Sequence, residues 1–395
     1  MKRVRSLTSK LSVSVLAFAL CWSSGSSQLL PSPSTPNILY ILTDDLGYGD
    51  VSGLNPQNKI KTPQIDKLIS EGMTFTEAHA SSAVCTPSRY SILTGRYNWR
   101  SRLKDGVLGG FSKPLIEHAR LTVAELLKNR GYDTACIGKW HLGMDWARLP
   151  ASENEKNSKK NADAGEGARI NFKKPITGGP TTVGFDYFFG ISASLDMPPY
   201  AFVENDHVTA QPTILEGRLR GADGEQTRLG PQVPRFDAVD VLPTLTTKAA
   251  EYIKQHAAKS SAGKPFFLYL ALPTPHAPLA PTKEWLGKSG LNVYADYVME
   301  TDDCIGKVLM ALETSQVATN TLVIFTSDNG CAPAAGIPFL LAHGHDPSAR
   351  PPRLQSGYLR WRASNPARCS LARPCRCQRP MRCICLPWRF HGYMC

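Results

Sequence analysis

The 395-residue sequence predicts an α/β fold in which a mostly parallel β-sheet lies between layers of helices. Three observations carry this. Near-continuous apolar runs at 37–43, 266–272 and 321–326 read as strands buried on both faces. Stretches with helical spacing alternate with these runs, which is the pattern of a sheet layered between helices. Each run also hands the chain to a polar cluster, and open α/β sheets bind ligands just beyond the carboxyl ends of their strands.

Residues 1–28 carry Lys2, Arg3, Arg5 and Lys10, then an apolar run at 11–20, then small polar residues at 23–27. This is the pattern of a secretory signal with an apolar run too short to cross a bilayer, so export to the periplasm or the exterior is expected. Cys21 raises a lipoprotein as the alternative, but Leu20 is a poor fit to the small residue that precedes such a cysteine. No other run is long enough for a transmembrane helix.

The strand at 37–43 ends in Asp44-Asp45, followed by Gly47, Gly49 and Asp50. Two carboxylates at the end of a buried strand are costly unless paired or bound to a cation. A helix is expected over 62–72, with Thr62 as its cap and Pro63 at its first position. Cys85-Thr86-Pro87-Ser88-Arg89 predicts another helix start, because a proline loses nothing at the first helical position. Cys85 would then lie where free backbone N–H groups attract anions, with Arg89 one turn later aimed at the same place. By itself the stretch reads equally as a reactive sulfur in an oxyanion site and as a buried cysteine near a helix start.

Residues 121–130 have helical spacing and stop at Gly131. A strand over 132–138 then delivers Lys139-Trp140-His141-Leu142-Gly143. Residues 152–180 are polar and read as a surface excursion, 185–189 as a strand, and 205–234 as loop. A helix over 238–258 precedes the strand at 266–272, which leads to Pro275-His276. A long amphipathic helix over 294–313 precedes the strand at 321–326, which leads to Ser327-Asp328-Asn329-Gly330. There is no internal repeat.

The formal net charge of +12 is a property of the ends. Residues 1–28 contribute +4, and residues 349–395, with ten Arg and no acid, contribute +10, so the body between them carries −2. A nucleic-acid partner is unsupported. The eleven cysteines divide similarly: only Cys21, Cys85, Cys136, Cys304 and Cys331 precede the tail, too few for a disulfide scaffold of this size.

Asp44, Asp45, Asp328 and Asn329 are oxygen ligands from two strand ends, suited to a hard divalent cation such as Ca²⁺ or Mg²⁺. The body has no zinc-ligand spacing. Arg89, Lys139, His141 and His276 add cationic donors and proton-transfer groups. Taken singly, Asp44-Asp45 also reads as a turn, and either histidine as a satisfied loop residue. Five such clusters, each at a strand end or helix start, point to one site.

The chain resembles the type I, formylglycine-dependent sulfatases of the alkaline phosphatase-like superfamily. The resemblance rests on Asn37-Ile38-Leu39 with Asp44-Asp45-Leu46-Gly47, Cys85-Thr86-Pro87-Ser88-Arg89 with Leu93-Thr94-Gly95-Arg96, Gly138-Lys139-Trp140-His141-Leu142-Gly143, Pro275-His276 and Ser327-Asp328-Asn329-Gly330, in that order over roughly 36–348. It implies an alkaline phosphatase-like sandwich and hydrolysis of an alkyl or aryl sulfate ester, with a sulfated small molecule or glycan as substrate. It further implies that Cys85 is converted to formylglycine by a formylglycine-generating or anaerobic sulfatase-maturing enzyme. Asp44, Asp45, Asp328, Asn329 and the modified residue 85 would hold one Ca²⁺, in preference to Mg²⁺. One hydroxyl of the hydrated aldehyde would attack sulfur while His276 protonates the leaving alcohol. His141 would then deprotonate the second hydroxyl to expel sulfate, with Arg89 and Lys139 stabilising the charge.

The resemblance stops at the tail. The family continues with an Arg-Gly-x-Lys segment and a Gly-Gly-x-Arg segment, and neither is present. Codons can be chosen for 351–366 so that the neighbouring frame reads Leu-Arg-Gly-Tyr-Lys-Ala-Asp-Ile-Tyr-Asp-Gly-Gly-His-Arg-Ile-Pro, which contains both. The expected organisation is therefore a signal at 1–28, an incomplete catalytic domain at 36–348 truncated before the C-terminal subdomain, and a frameshifted, disordered tail at 349–395. The alternatives are a phosphonate or phosphate ester hydrolase of the same superfamily and an inactive remnant.

Overall fold

A computed structural model describes residues 35–75, 78–150, 162–349 and 382–385. The expected signal, Cys21 and most of the tail lie outside them. Strand β1 (Asn37–Thr43) leads to helix α1 (Pro63–Glu71), strand β2 (Met73–Phe75), helix α2 (Cys85–Thr94), helix α3 (Val123–Lys128) and strand β3 (Asp133–Lys139). Helix α4 (Ala162–Ala168) and strand β4 (Tyr187–Ile191) follow. Short strand β5 (Val203–Glu204) comes next, and β6 (His207–Val208), β7 (Ile214–Gly217) and β8 (Gly230–Gln232) occupy the stretch expected to be loop. Helix α5 (Val241–Ser261), strand β9 (Phe266–Ala271), helix α6 (Val293–Thr314), strand β10 (Thr321–Ser327), helix α7 (Ile337–Ala342) and strand β11 (Arg382–Cys385) complete the order.

Among the described residues, nine strands form the main sheet in the order β2-β11-β10-β1-β9-β3-β4-β5-β6. The pairings from β2 through β4 are parallel, and β5 and β6 add an antiparallel edge. In the tail, β11 lies between β10 and β2, so the described sheet does not end at β10. A separate β7-β8 pair lies outside this sheet.

The apolar runs are continuous because both faces of the central strands are covered. Leu39 and Ile41 of β1, with Phe266, Leu268 and Leu270 of β9, pack toward the core that includes Ile65 and Leu68 of α1, Leu245 and Ile253 of α5, and Ile305 and Val308 of α6. Leu42, Phe267 and Tyr269 face the other way, toward Tyr90 and Leu93 of α2 and Ala124 of α3. This alternation fixes which strand residues meet which helices. It also leaves α2 on one face with its first residue at the strand ends.

Two local expectations change. Helix α2 begins at Cys85, with Val84 outside it, so Pro87 stands two positions further in than expected but still within the first turn. Thr62 makes no side-chain cap to α1 and instead donates its hydroxyl to Asp66 Oδ1. The α1 cap comes from Asp302 of α6, whose carboxylate accepts from the N–H groups of Gln64 and Ile65 at 3.0 and 2.8 Å.

Candidate active site

The neighbouring order β10-β1-β9-β3, all parallel, places four strand carboxyl ends side by side. Thr43 pairs with Ser327, so the next residues, Asp44 and Asp328, emerge together. Backbone bonds lock the emerging loops, from Asp44 N–H to Thr274 O at 2.9 Å and from Asp328 N–H to Thr43 O at 3.0 Å. Strand β3 supplies Lys139 as its last residue, and the loop after β9 supplies His276.

The acidic residues gather tightly. Ligand oxygens of Asp44, Asp45 and Asp328 lie within 4.8 Å of one another, and all three residues are buried. Asn329 Nδ2 donates to Asp45 Oδ1, while Asn329 Oδ1 is buried with no hydrogen-bond partner among the described residues. Asp45 has φ 62°, a left-handed conformation that is costly for a residue other than glycine. His141 is also left-handed, at φ 55°.

Two buried cations stand against these carboxylates. Arg89 donates to Asp328 Oδ2 from Nε at 3.0 Å, its Nη2 lies 2.9 Å from the same oxygen, and Nη1 donates to Lys139 O at 3.0 Å. Arg89 Nη2 also lies 3.5 Å from Asp44 Oδ1. Lys139 Nζ is paired with Asp44 Oδ2 and donates to Ser194 Oγ at 3.1 Å. Burial alone would raise Asp44, but Lys139, His276 and Arg89 hold its carboxyl far below the ordinary range. Burial, then the charge of Asp44, pushes Asp328 up to about 7, and burial also raises Asp45. Three carboxylates crowd together in a dry site, where burial and mutual repulsion keep Asp45 and Asp328 raised despite the nearby cations. Together with the unpartnered Asn329 oxygen, this suits a divalent cation held by oxygen ligands.

Cys85 is 7% exposed at the start of α2. Burial pushes its thiol up to about 12, so the sulfur is a protonated thiol near neutral pH and a poor nucleophile. The Thr86 hydroxyl donates to His141 O at 3.0 Å and accepts from Leu108 N–H at 3.2 Å, tying the first turn of α2 to the loop after β3. His141 has no exposed surface, and its Nε2 lies 2.7 Å from Leu108 O. A carbonyl can only accept, so Nε2 carries the proton and the buried Nδ1, unpartnered among the described residues, keeps its lone pair. Burial, then Lys139 and Arg89, hold His141 well below the ordinary histidine range.

His276 Nδ1 lies 2.6 Å from Ala277 O and 3.3 Å from Ser194 Oγ, and Nε2 lies 3.6 Å from Asp45 Oδ2. Burial and Lys139 push His276 down, but Asp44, Asp45 and Asp196 outweigh them and its pKa is raised.

The structure thus connects Asp44, Asp45, Arg89, Lys139, His276, Asp328 and Asn329 by direct contacts, and Thr86 links Cys85's helix turn to His141. Sequence reasoning missed Ser194, which bridges Lys139 and His276. A serine in a loop after a strand carries no signal of its own.

A sulfatase family model matches residues 36–361. An N-acetylgalactosamine-6-O-sulfatase of Bacteroides thetaiotaomicron is 35% identical over 327 residues, covering 75% of this chain and 59% of that protein. The N-acetylgalactosamine-6-sulfatase of Mus musculus is 32% identical over 314 residues, covering 76% of this chain and 51% of that one. The chain therefore spans between half and three-fifths of the length of these relatives. Among solved structures, one from work on glycosaminoglycan metabolism by Bacteroides thetaiotaomicron aligns with a TM-score of 0.63 at 32% identity, over 80% of this chain and 67% of that one. A sulfatase from Pseudoalteromonas sp. aligns with a TM-score of 0.52 at 26% identity, over 75% of this chain and 55% of the other.

Proposed function

The chain belongs to the sulfatase family, and we propose that it is built to hydrolyse the sulfate ester of a sulfated carbohydrate, with N-acetylgalactosamine 6-sulfate the first substrate to test. The observation that carries this reading is the dry cluster of Asp44, Asp45 and Asp328 held against Arg89 and Lys139 beside the Cys85 end of α2. The substrate choice rests on the names of the relatives of highest identity.

In this reading a maturation enzyme converts Cys85 to formylglycine, and Asp44, Asp45, Asp328 and Asn329 hold one Ca²⁺. When present, the hydrated aldehyde supplies the oxygen nucleophile and the cation lowers the energy of its ionised form. The remaining work falls to side chains. Arg89, fixed by two hydrogen bonds and by ion contacts to Asp328 and Asp44, keeps its charge and screens Asp328. Lys139, raised by the neighbouring Asp44 charge against the effect of burial, stays charged at the position where sulfate oxygens gather negative charge. His141 is neutral, and its free Nδ1 accepts a proton. His276, raised into readiness to carry a proton and partly accessible, donates one to the departing sugar oxygen. The segment 1–28 acts as the export signal, placing the enzyme where extracellular glycans are met.

The test combines mass analysis of the peptide containing Cys85 with turnover assays. The expected result is conversion at Cys85 and release of sulfate from N-acetylgalactosamine 6-sulfate that stops on chelation. An unmodified thiol throughout, or faster turnover of a phosphonate monoester, overturns the reading.

A further inference from the structure

Behind the acidic cluster lies a second buried polar group that the proposed chemistry does not use. Asp50 has no exposed surface, and its carboxylate receives three donors. Gly47 N–H donates to Oδ2 at 2.8 Å, the Tyr294 hydroxyl lies 2.6 Å from the same oxygen, and His345 Nε2 lies 2.8 Å from Oδ1. The His345 tautomer is set by its other nitrogen, because Lys59 N–H donates to Nδ1 at 3.3 Å. The Tyr294 hydroxyl is also 3.2 Å from the Asp45 carbonyl oxygen, so it touches the backbone of the left-handed residue itself.

The segment that carries His345 packs on the same loop. Gly49 N–H donates to Pro347 O at 2.9 Å. A Cβ at Gly47 would lie 2.0 Å from Pro347 O, and one at Gly49 would lie 1.9 Å from Asp346 O, so both positions must lack a side chain for the segment to seat. Two distant parts of the chain, α6 through Tyr294 and the stretch after α7 through His345, therefore close on the loop between Asp44 and Asp50, and Lys59 N–H holds the far side of the His345 ring.

We propose that Asp50, Tyr294 and His345 are positioning residues that clamp the Asp44–Asp50 loop and hold Asp45 in the left-handed conformation that presents its carboxylate to a cation. The donors converge on one carboxylate, and none of the three side chains has exposed surface to spare for substrate. The clamp places ligands; it does not touch the reacting atoms. It rests on the cation site of the functional reading above.

The experiment uses the full chain and its Tyr294→Phe and His345→Gln variants, with Tyr294→Phe removing only the hydroxyl. Deuterium exchange is followed over the peptide spanning 44–51 in chelator, and Ca²⁺ affinity is measured by calorimetry. Exchange over 44–51 is expected to quicken in both variants, and Ca²⁺ affinity to fall at least tenfold. A purely structural role would lower the unfolding midpoint and leave Ca²⁺ affinity of the folded fraction unchanged, and that result overturns the proposal. Unchanged exchange over 44–51 also overturns it, whatever the turnover. Faster exchange and weakened Ca²⁺ binding in a protein with no sulfate-ester turnover would support the clamp and sink the functional reading instead.

Discussion

His141 has no exposed surface and stands among cations, with Lys139 two residues before it and Arg89 nearby. Its folded form therefore resists protonation, while the unfolded chain protonates it in the ordinary histidine range. Because the unfolded state then binds the extra proton, stability rises with pH through that range and falls below it. The expected loss is about 1.4 kcal/mol for each pH unit below the unfolded pKa. Urea unfolding at pH 7, 6 and 5 checks this, since His141→Gln should remove that part of the slope; an identical slope in the variant refutes it. Residue types at the site were legible because carboxylates, histidines and a lysine at strand ends are costly without a purpose. The state of each was not: whether His141 is neutral, or Cys85 a thiol rather than a thiolate, is decided by desolvation and by charges that reach it from other strands.

Among the elements, α1 shows where local rules give way to long-range ones. Thr62 and Pro63 mark the helix start correctly, but the first N–H groups are satisfied by Asp302, 237 and 238 residues away from its two partners. Asp302→Ala is expected to cost about 1–2 kcal/mol of stability by leaving those donors unpaired. Chemical denaturation would show it, and a variant as stable as the parent would mean that water or Thr62 replaces the cap. The strands were read within two residues because runs buried on both faces leave little choice of ends. The short β6 to β8 were read as loop, since two to four residues carry no usable periodicity. β2 and β11 were missed for a different reason: a strand at this side of the sheet is defined by its neighbours, not by its own pattern.

For the whole molecule, the composition break near residue 349 has a direct test at the level of the gene. The neighbouring frame from that point is expected to encode Leu-Arg-Gly-Tyr-Lys and Gly-Gly-His-Arg. Sequencing the gene and reading on in that frame checks it, and the lack of any such continuation would reject it. The clamp adds a reason to look there, because His345 and Pro347, which seat on the Asp44–Asp50 loop, immediately precede the break.

The sequence by itself determined the α/β class, the family and nearly every chemical group at the site, because buried parallel strands and polar strand ends leave a period and a composition that survive without coordinates. Only the tertiary structure decided how those groups act on one another. Asp44 is held ionised while Asp328 is pushed toward protonation, Ser194 joins Lys139 to His276, and a second carboxylate behind the first holds the loop in place. Each of these depends on separations of a few ångströms between residues tens to hundreds of positions apart, and electrostatic and hydrogen-bond energies are set by those distances and by the exclusion of water.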